Sequence, residues 1–128
     1  MQASKVPSKD TQSKLAERIR ELSSINLSKK ENRSYFALKS DDGPYSSIVT
    51  VRWHKNSVSF HMPSSDLVGQ AKAAGFSPEN RQSSRPFFKH KRYFYGLTLT
   101  DIQKHEPLFR AIVKDSLEYV ISQRPRKK

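Results

Sequence analysis

The chain has 128 residues, no cysteine, and 24 Lys and Arg against 12 Asp and Glu, a formal charge of +12. That length suits one domain with tails, and without Cys there is no disulfide framework, thiolate metal site or Cys nucleophile. No apolar run approaches the ~18 residues of a membrane span, and the opening MQASKVPSKD lacks the apolar core of a signal peptide.

An intracellular protein that keeps away from membranes is therefore expected. The basic surplus selects an anionic partner, either nucleic acid or an acidic protein. Leu, Ile, Val and Phe together make up about 23% of the chain, just above the level that marks disorder. A compact core with polar, basic appendages follows.

Residues 1–9 are polar and aperiodic, and predict a disordered lead. Asp10 or Thr11 can cap a helix whose apolar positions Leu15, Ile19, Leu22 and Ile25 recur at helical spacing. Residues 26–34 (NLSKKENRS) predict a polar connector. Residues 35–39 (YFALK) predict a short strand, and DDGP at 41–44 is turn chemistry.

Residues 46–62 carry the strongest structural pattern. Pairing residues 46–54 with 57–62 around a two-residue turn at Lys55 and Asn56 sets Trp53 against Val58, Val51 against Phe60 and Val49 against Met62. All of these are apolar and share one face. The other face sets His54 against Ser57, Arg52 against Ser59 and Thr50 against His61, all polar. A one-residue slip would scramble that sorting.

Residues 64–75 predict a short helix, capped by Ser64 or Ser65 and closed by Gly75. Residues 76–91 (FSPENRQSSRPFFKHK) hold two Pro and no clean period, which predicts a long loop. Residues 92–99 (RYFYGLTL) read as a strand with Tyr93, Tyr95, Leu97 and Leu99 on one face. A final helix starts near Pro107 and carries the stripe Leu108, Ile112, Val113, Leu117, Val120 and Ile121. Residues 124–128 (RPRKK) close the chain.

These elements predict an α+β fold: an antiparallel sheet of about four strands, packed on one face by N- and C-terminal amphipathic helices. The organisation is a lead at 1–9, one domain at 10–122 with a basic loop at 76–91, and a basic tail at 123–128.

The charge is unevenly spread. Residues 31–76 are nearly neutral, at +1, whereas residues 77–100 carry +4. In that second stretch Arg81, Arg85, Lys89, Lys91 and Arg92 interleave with Phe87, Phe88, Tyr93 and Tyr95. Cations neutralise phosphates and release counterions, and aromatic rings stack on unpaired bases. The same Phe pair would equally serve to anchor the loop to the core. The polar hairpin face, with Arg52 and His61, is a second candidate surface, although a merely solvated sheet face has the same pattern. Arg126 and Lys127 of the tail can add phosphate contacts.

No catalytic constellation emerges. His54, His61, His90 and His105 show no metal-ligand spacing. The four glycines form no phosphate loop, and no GxSxG elbow is present. No enzyme, metal or cofactor is expected. The leading expectation is a small non-enzymatic nucleic-acid-binding domain, DNA or RNA, and the alternative is an adaptor docking on an acidic protein. A degenerate metal-dependent nuclease is a third reading.

The stretch YFALK, the hairpin, and RYFYGLTL running into LFRAIVKDSLEYV resemble, over roughly residues 35–120, the DUF5655 family of uncharacterised small domains. The resemblance implies a strand-rich module closed by a C-terminal helix, in a nucleic-acid context. It implies no catalytic residues. Residues 64–91 are longer and more basic than that pattern.

Overall fold

The computed structural model describes residues 9–40, 47–53, 55–80 and 89–123. In chain order the elements are α1 (Lys9–Glu21), β1 (Leu27–Glu31), β2 (Tyr35–Ser40), β3 (Val49–Arg52), β4 (Ser57–His61), α2 (Ser65–Ala73), β5 (Glu79–Asn80), β6 (Lys91–Tyr95), α3 (Leu99–Lys104) and α4 (Glu106–Gln123). The fold is α+β. Its antiparallel sheet has six strands in the order β1-β2-β3-β4-β6-β5, rather than the four expected.

The additional strands lie at the two edges, where sequence pattern is weakest. In β1 only Leu27 is a buried apolar residue. Lys29 and Glu31, which share its face, pair instead with residues of α1: Lys29 Nζ lies 2.8 Å from Glu17, and Lys9 pairs with Glu31. The polar connector is thus a strand whose charged residues face a helix. At the opposite edge, β5 is two residues long, and Asn80 Nδ2 donates to the Lys89 and Lys91 carbonyls at 2.9 and 3.0 Å.

The hairpin sorts its residues as expected but in a different register. Val49 faces Phe60, Val51 faces Val58 and Arg52 faces Ser57, so the loop spans four residues from Trp53 to Asn56. A shift of two residues returns every side chain to its original face, so alternation alone cannot separate the two pairings. Local chemistry selects the longer loop. Asn56 adopts φ 51°, a left-handed conformation that Asn tolerates, and its carbonyl accepts from Gly96 N–H at 2.9 Å. Trp53 leaves the ladder and packs on Phe36, with ring centres 4.8 Å apart.

Strand β6 also differs from its expected form. It ends at Tyr95, and Phe94 is its core residue, in an edge-on contact with Phe60 at 5.5 Å. Gly96, at φ 75°, turns the chain away. Leu97 is buried after the strand, and Leu99 opens α3. Thr98 caps α3 reciprocally with Asp101, a capping box hidden inside what reads as a strand.

Leu15 and Ile19 of α1, Phe36 and Leu38 of β2, Val49 and Val51 of β3, Val58 and Phe60 of β4, and Phe109, Ile112, Val113, Leu117 and Val120 of α4 belong to one buried cluster. Ile25 and Ile121, expected on apolar stripes, are exposed. Ser116 is completely buried; its Oγ donates to the Ile48 carbonyl at 2.5 Å and accepts from His61 N–H at 2.9 Å. This hydroxyl fastens α4 to the ends of β3 and β4.

Candidate nucleic-acid interface

The face of the sheet opposite Val49, Val51, Val58 and Phe60 is built from the polar half of each alternation. Register brings Tyr35 beside Arg52, Ala37 beside Thr50, Thr50 beside Ser59, Arg52 beside Ser57, and then Ser57, Ser59 and His61 beside Tyr95, Tyr93 and Lys91. Small residues occupy the middle strands and long ones flank them. A hollow results, with a floor of short side chains and walls of long basic and aromatic ones.

A cavity of about 230 Å³ lies in this hollow. Thr50 and His61 contribute to it, together with Tyr35, Lys39, Ser47, Arg52 and Lys91. Among the described residues that line it, none is a carboxylate. The acidic residue of this side among the described strands, Glu79, stands at the edge strand opposite Tyr93 and does not line the cavity.

The floor is not a solvated sheet face, as the hairpin pattern suggests. Thr50 is 5% exposed and His61 1%. Tyr119 of α4 stacks on the His61 ring at 5.4 Å and 25°. Burial, with Lys91 nearby, pushes the imidazole down to about 4, so His61 is neutral at physiological pH. His90 adds to the same effect, and a hydrogen bond with the Ser47 backbone opposes it.

The cations of the hollow crowd one another. Burial, with the Arg52 charge beside it, lowers Lys91 to about 8. The Arg52 guanidinium carbon lies 5.5 Å from the centre of the Tyr35 ring, and its Nε is buried without a hydrogen-bond partner among the described residues. Neither Lys39 nor Arg52 makes an ion pair among the described residues. Lys91 Nζ lies 5.6 Å from the centre of the Tyr93 ring, which stacks with Tyr95 at 6.4 Å and 17°. Tyr95 is 43% exposed. An aromatic pair thus continues the basic hollow along β6.

The residues expected from the sequence divide into three groups. Arg52, His61 and Lys91 meet at the cavity, and Tyr93 adjoins it. Lys89 is exposed in the turn before β6. Arg92 shares the register of Phe60, on the other side of the sheet, and its Nη1 donates to the Pro78 carbonyl at 3.4 Å. Arg81, Arg85, Phe87, Phe88, Arg126 and Lys127 lie outside the described residues, as does His54.

Tyr35, Lys39 and Ser47 were not among the expected site residues. The first two carry a legible signal: in YFALK, Tyr35 and Lys39 alternate against Phe36 and Leu38, which are buried. Ser47 carries no such signal.

Among the described residues no group of His, Asp and Glu is arranged to hold a metal ion, and no helix is long and apolar enough to cross a membrane. Comparison of the chain with protein-family models, with curated proteins and with solved structures found no match.

Proposed function

We propose that the protein is a small, non-enzymatic, intracellular nucleic-acid-binding domain that contacts the phosphate backbone through the polar face of its sheet and the adjoining basic segments. In this reading the helices cover the apolar face, and Tyr119 of α4 also covers His61 on the other. The hollow lined by Lys39, Arg52 and Lys91 is left to the partner, and the loop and tail, with Arg81, Arg85, Arg126 and Lys127, extend the contact.

The observation that carries the reading is the gathering of Lys39, Arg52 and Lys91 around one hollow whose described lining holds no carboxylate. Such a hollow attracts anions, and counterion release makes the attraction salt-dependent. The neighbouring tyrosines suit unpaired bases, because every base has a face to stack. A single strand is therefore the favoured ligand over a duplex.

An electrophoretic shift panel over single- and double-stranded DNA and RNA tests the reading. Binding to at least one single strand, weakening steeply with salt, is expected. Replacing Lys89, Lys91 and Arg92 together by Ala should flatten the salt dependence. No shift with any of the four ligands would overturn the reading. A partner captured from extract that survives nuclease digestion would favour an acidic protein instead.

A further inference from the structure

We propose that the cavity on the polar sheet face seats the terminal phosphomonoester of a nucleic-acid strand, rather than a phosphate inside the strand. This deepens the nucleic-acid reading and rests on it.

Shape is the first ground. The hollow has a floor, made by Thr50 and His61, both buried. A phosphate inside a strand has a sugar on each side and needs a groove open at both ends. A strand end carries one sugar and suits a floored cavity of about 230 Å³.

Charge is the second ground. Lys39, Arg52 and Lys91 meet with no carboxylate among the described residues of the lining. A phosphodiester carries a single negative charge, whereas a phosphomonoester carries about −1.5 to −2 at pH 7. The second charge is what a site of three cations rewards. Arg52 brings a guanidinium with a buried Nε that lacks a partner among the described residues, and a guanidinium fork matches phosphate oxygens.

The surroundings supply the third ground. Ser47 and Thr50 add hydroxyls to the lining. Tyr93, two residues beyond Lys91 on the same strand face, lies about 7 Å along β6. Its stacked partner Tyr95 is exposed. With the end phosphate in the pocket, the first bases of the strand fall beside these rings.

The test uses single strands of one sequence with an internal fluorophore, carrying a 5′-phosphate, a 3′-phosphate or hydroxyls at both ends. Fluorescence anisotropy with the full chain should show one phosphorylated strand binding at least about tenfold tighter than the hydroxyl-ended one. Arg52→Gln should remove that preference, and Lys39→Gln should reduce it, while Lys14→Gln on the exposed side of α1 should preserve it. Circular dichroism checks that each variant folds.

Equal affinity for all three strands, with salt-sensitive binding intact, would overturn the end-phosphate seat and leave the nucleic-acid reading standing. Failure of every strand to bind would overturn both. Displacement of the phosphorylated strand by equimolar inorganic phosphate would also overturn the proposal, since the free ion would then be the ligand.

Discussion

Two regions of the molecule carry cations and treat them in opposite ways. On the flank built by α1, β1 and the start of α4, cations meet carboxylates. Arg18 pairs with Glu21 and Glu106, Arg110 with Glu106, and Lys29 and Arg20 with Glu17. Hydrogen bonds from Lys29 to Glu17 and from Arg110 to Glu106 hold both carboxyls below their ordinary range. On the polar sheet face, Lys39, Arg52 and Lys91 surround a hollow with no carboxylate among its described residues, and Lys91 is pushed down instead.

The flank pairs its cations with carboxylates, whereas the described residues around the hollow include three cations and no carboxylate. The difference is invisible to a segment sum. Residues 31–76, which supply Lys39 and Arg52, are almost neutral in total. Of the four acidic residues there, Asp66 and Glu31 stand on α2 and at the β1 edge, away from the cavity, and Asp41 and Asp42 lie outside the described residues.

The two faces of the sheet can be separated by mutation. The largest effect on stability is expected from the apolar face. Phe60→Ala removes a fully buried ring packed on Phe94 and Phe109, and chemical denaturation should show a loss of about 3–5 kcal/mol. Ser116→Ala comes next. It leaves the buried His61 N–H and Ile48 carbonyl without their shared hydroxyl, at a cost of about 2–3 kcal/mol. Arg52→Ala should stay near the surface range, yet reduce the slope of log affinity against log salt by about 1. If Arg52→Ala lost much stability and no binding, the distinction between the faces would break.

Titration sharpens the same contrast. His61 has its folded value near 4, below its ordinary 6.5. The unfolded chain therefore takes up the proton first, and folding should weaken as pH falls from about 6.5 to about 4, by roughly 3 kcal/mol in all. His61→Gln should flatten that limb of the stability profile.

Lys91 acts on folding with the same sign, since its folded value lies below its ordinary 10.5 and stability should rise with pH between about 8 and 10.5. It acts on binding as well. With its value near 8, it loses its charge as pH rises through 8, and affinity for an anionic strand should fall there. Arg52, Lys39 and His61 face it in the cavity, and His61 is already neutral there. Lys91→Arg should remove the fall. The smallest effect belongs to the flank: Arg110→Ala breaks a surface pair, and should cost less than about 1 kcal/mol without altering binding.

The elements whose legibility came from side-chain alternation were read correctly in kind. The hairpin's faces, α2 with its Ser64 cap, and the long C-terminal helix were all visible, because burial imposes a period that sequence records. The edge strands were not. In β1 the residues facing inward are Lys29 and Glu31, which find partners in α1, so polarity there marks ion pairing and not a loop.

The site was half legible. Arg52, His61, Lys91 and Tyr93 stood out by type. Their meeting did not, since it depends on β4 lying between β3 and β6, a pairing set across the 29 residues that separate His61 from Lys91. Tyr35 and Lys39 escaped for the same reason: they belong to a third strand, brought in by the β2–β3 pairing.

The most direct measurement compares two double variants with equal loss of charge. One removes Lys39 and Arg52 from the sheet face (Lys39→Gln with Arg52→Gln), and the other removes Lys14 and Arg110 from the helical flank (Lys14→Gln with Arg110→Gln). Binding of a single-stranded oligonucleotide is followed across a salt series for both and for the parent chain. The sheet-face variant should lose at least about tenfold in affinity and about 2 in salt slope, while the flank variant stays close to the parent. Equal losses in the two variants would contradict the account, because net charge alone, and not the hollow on the sheet, would then hold the strand.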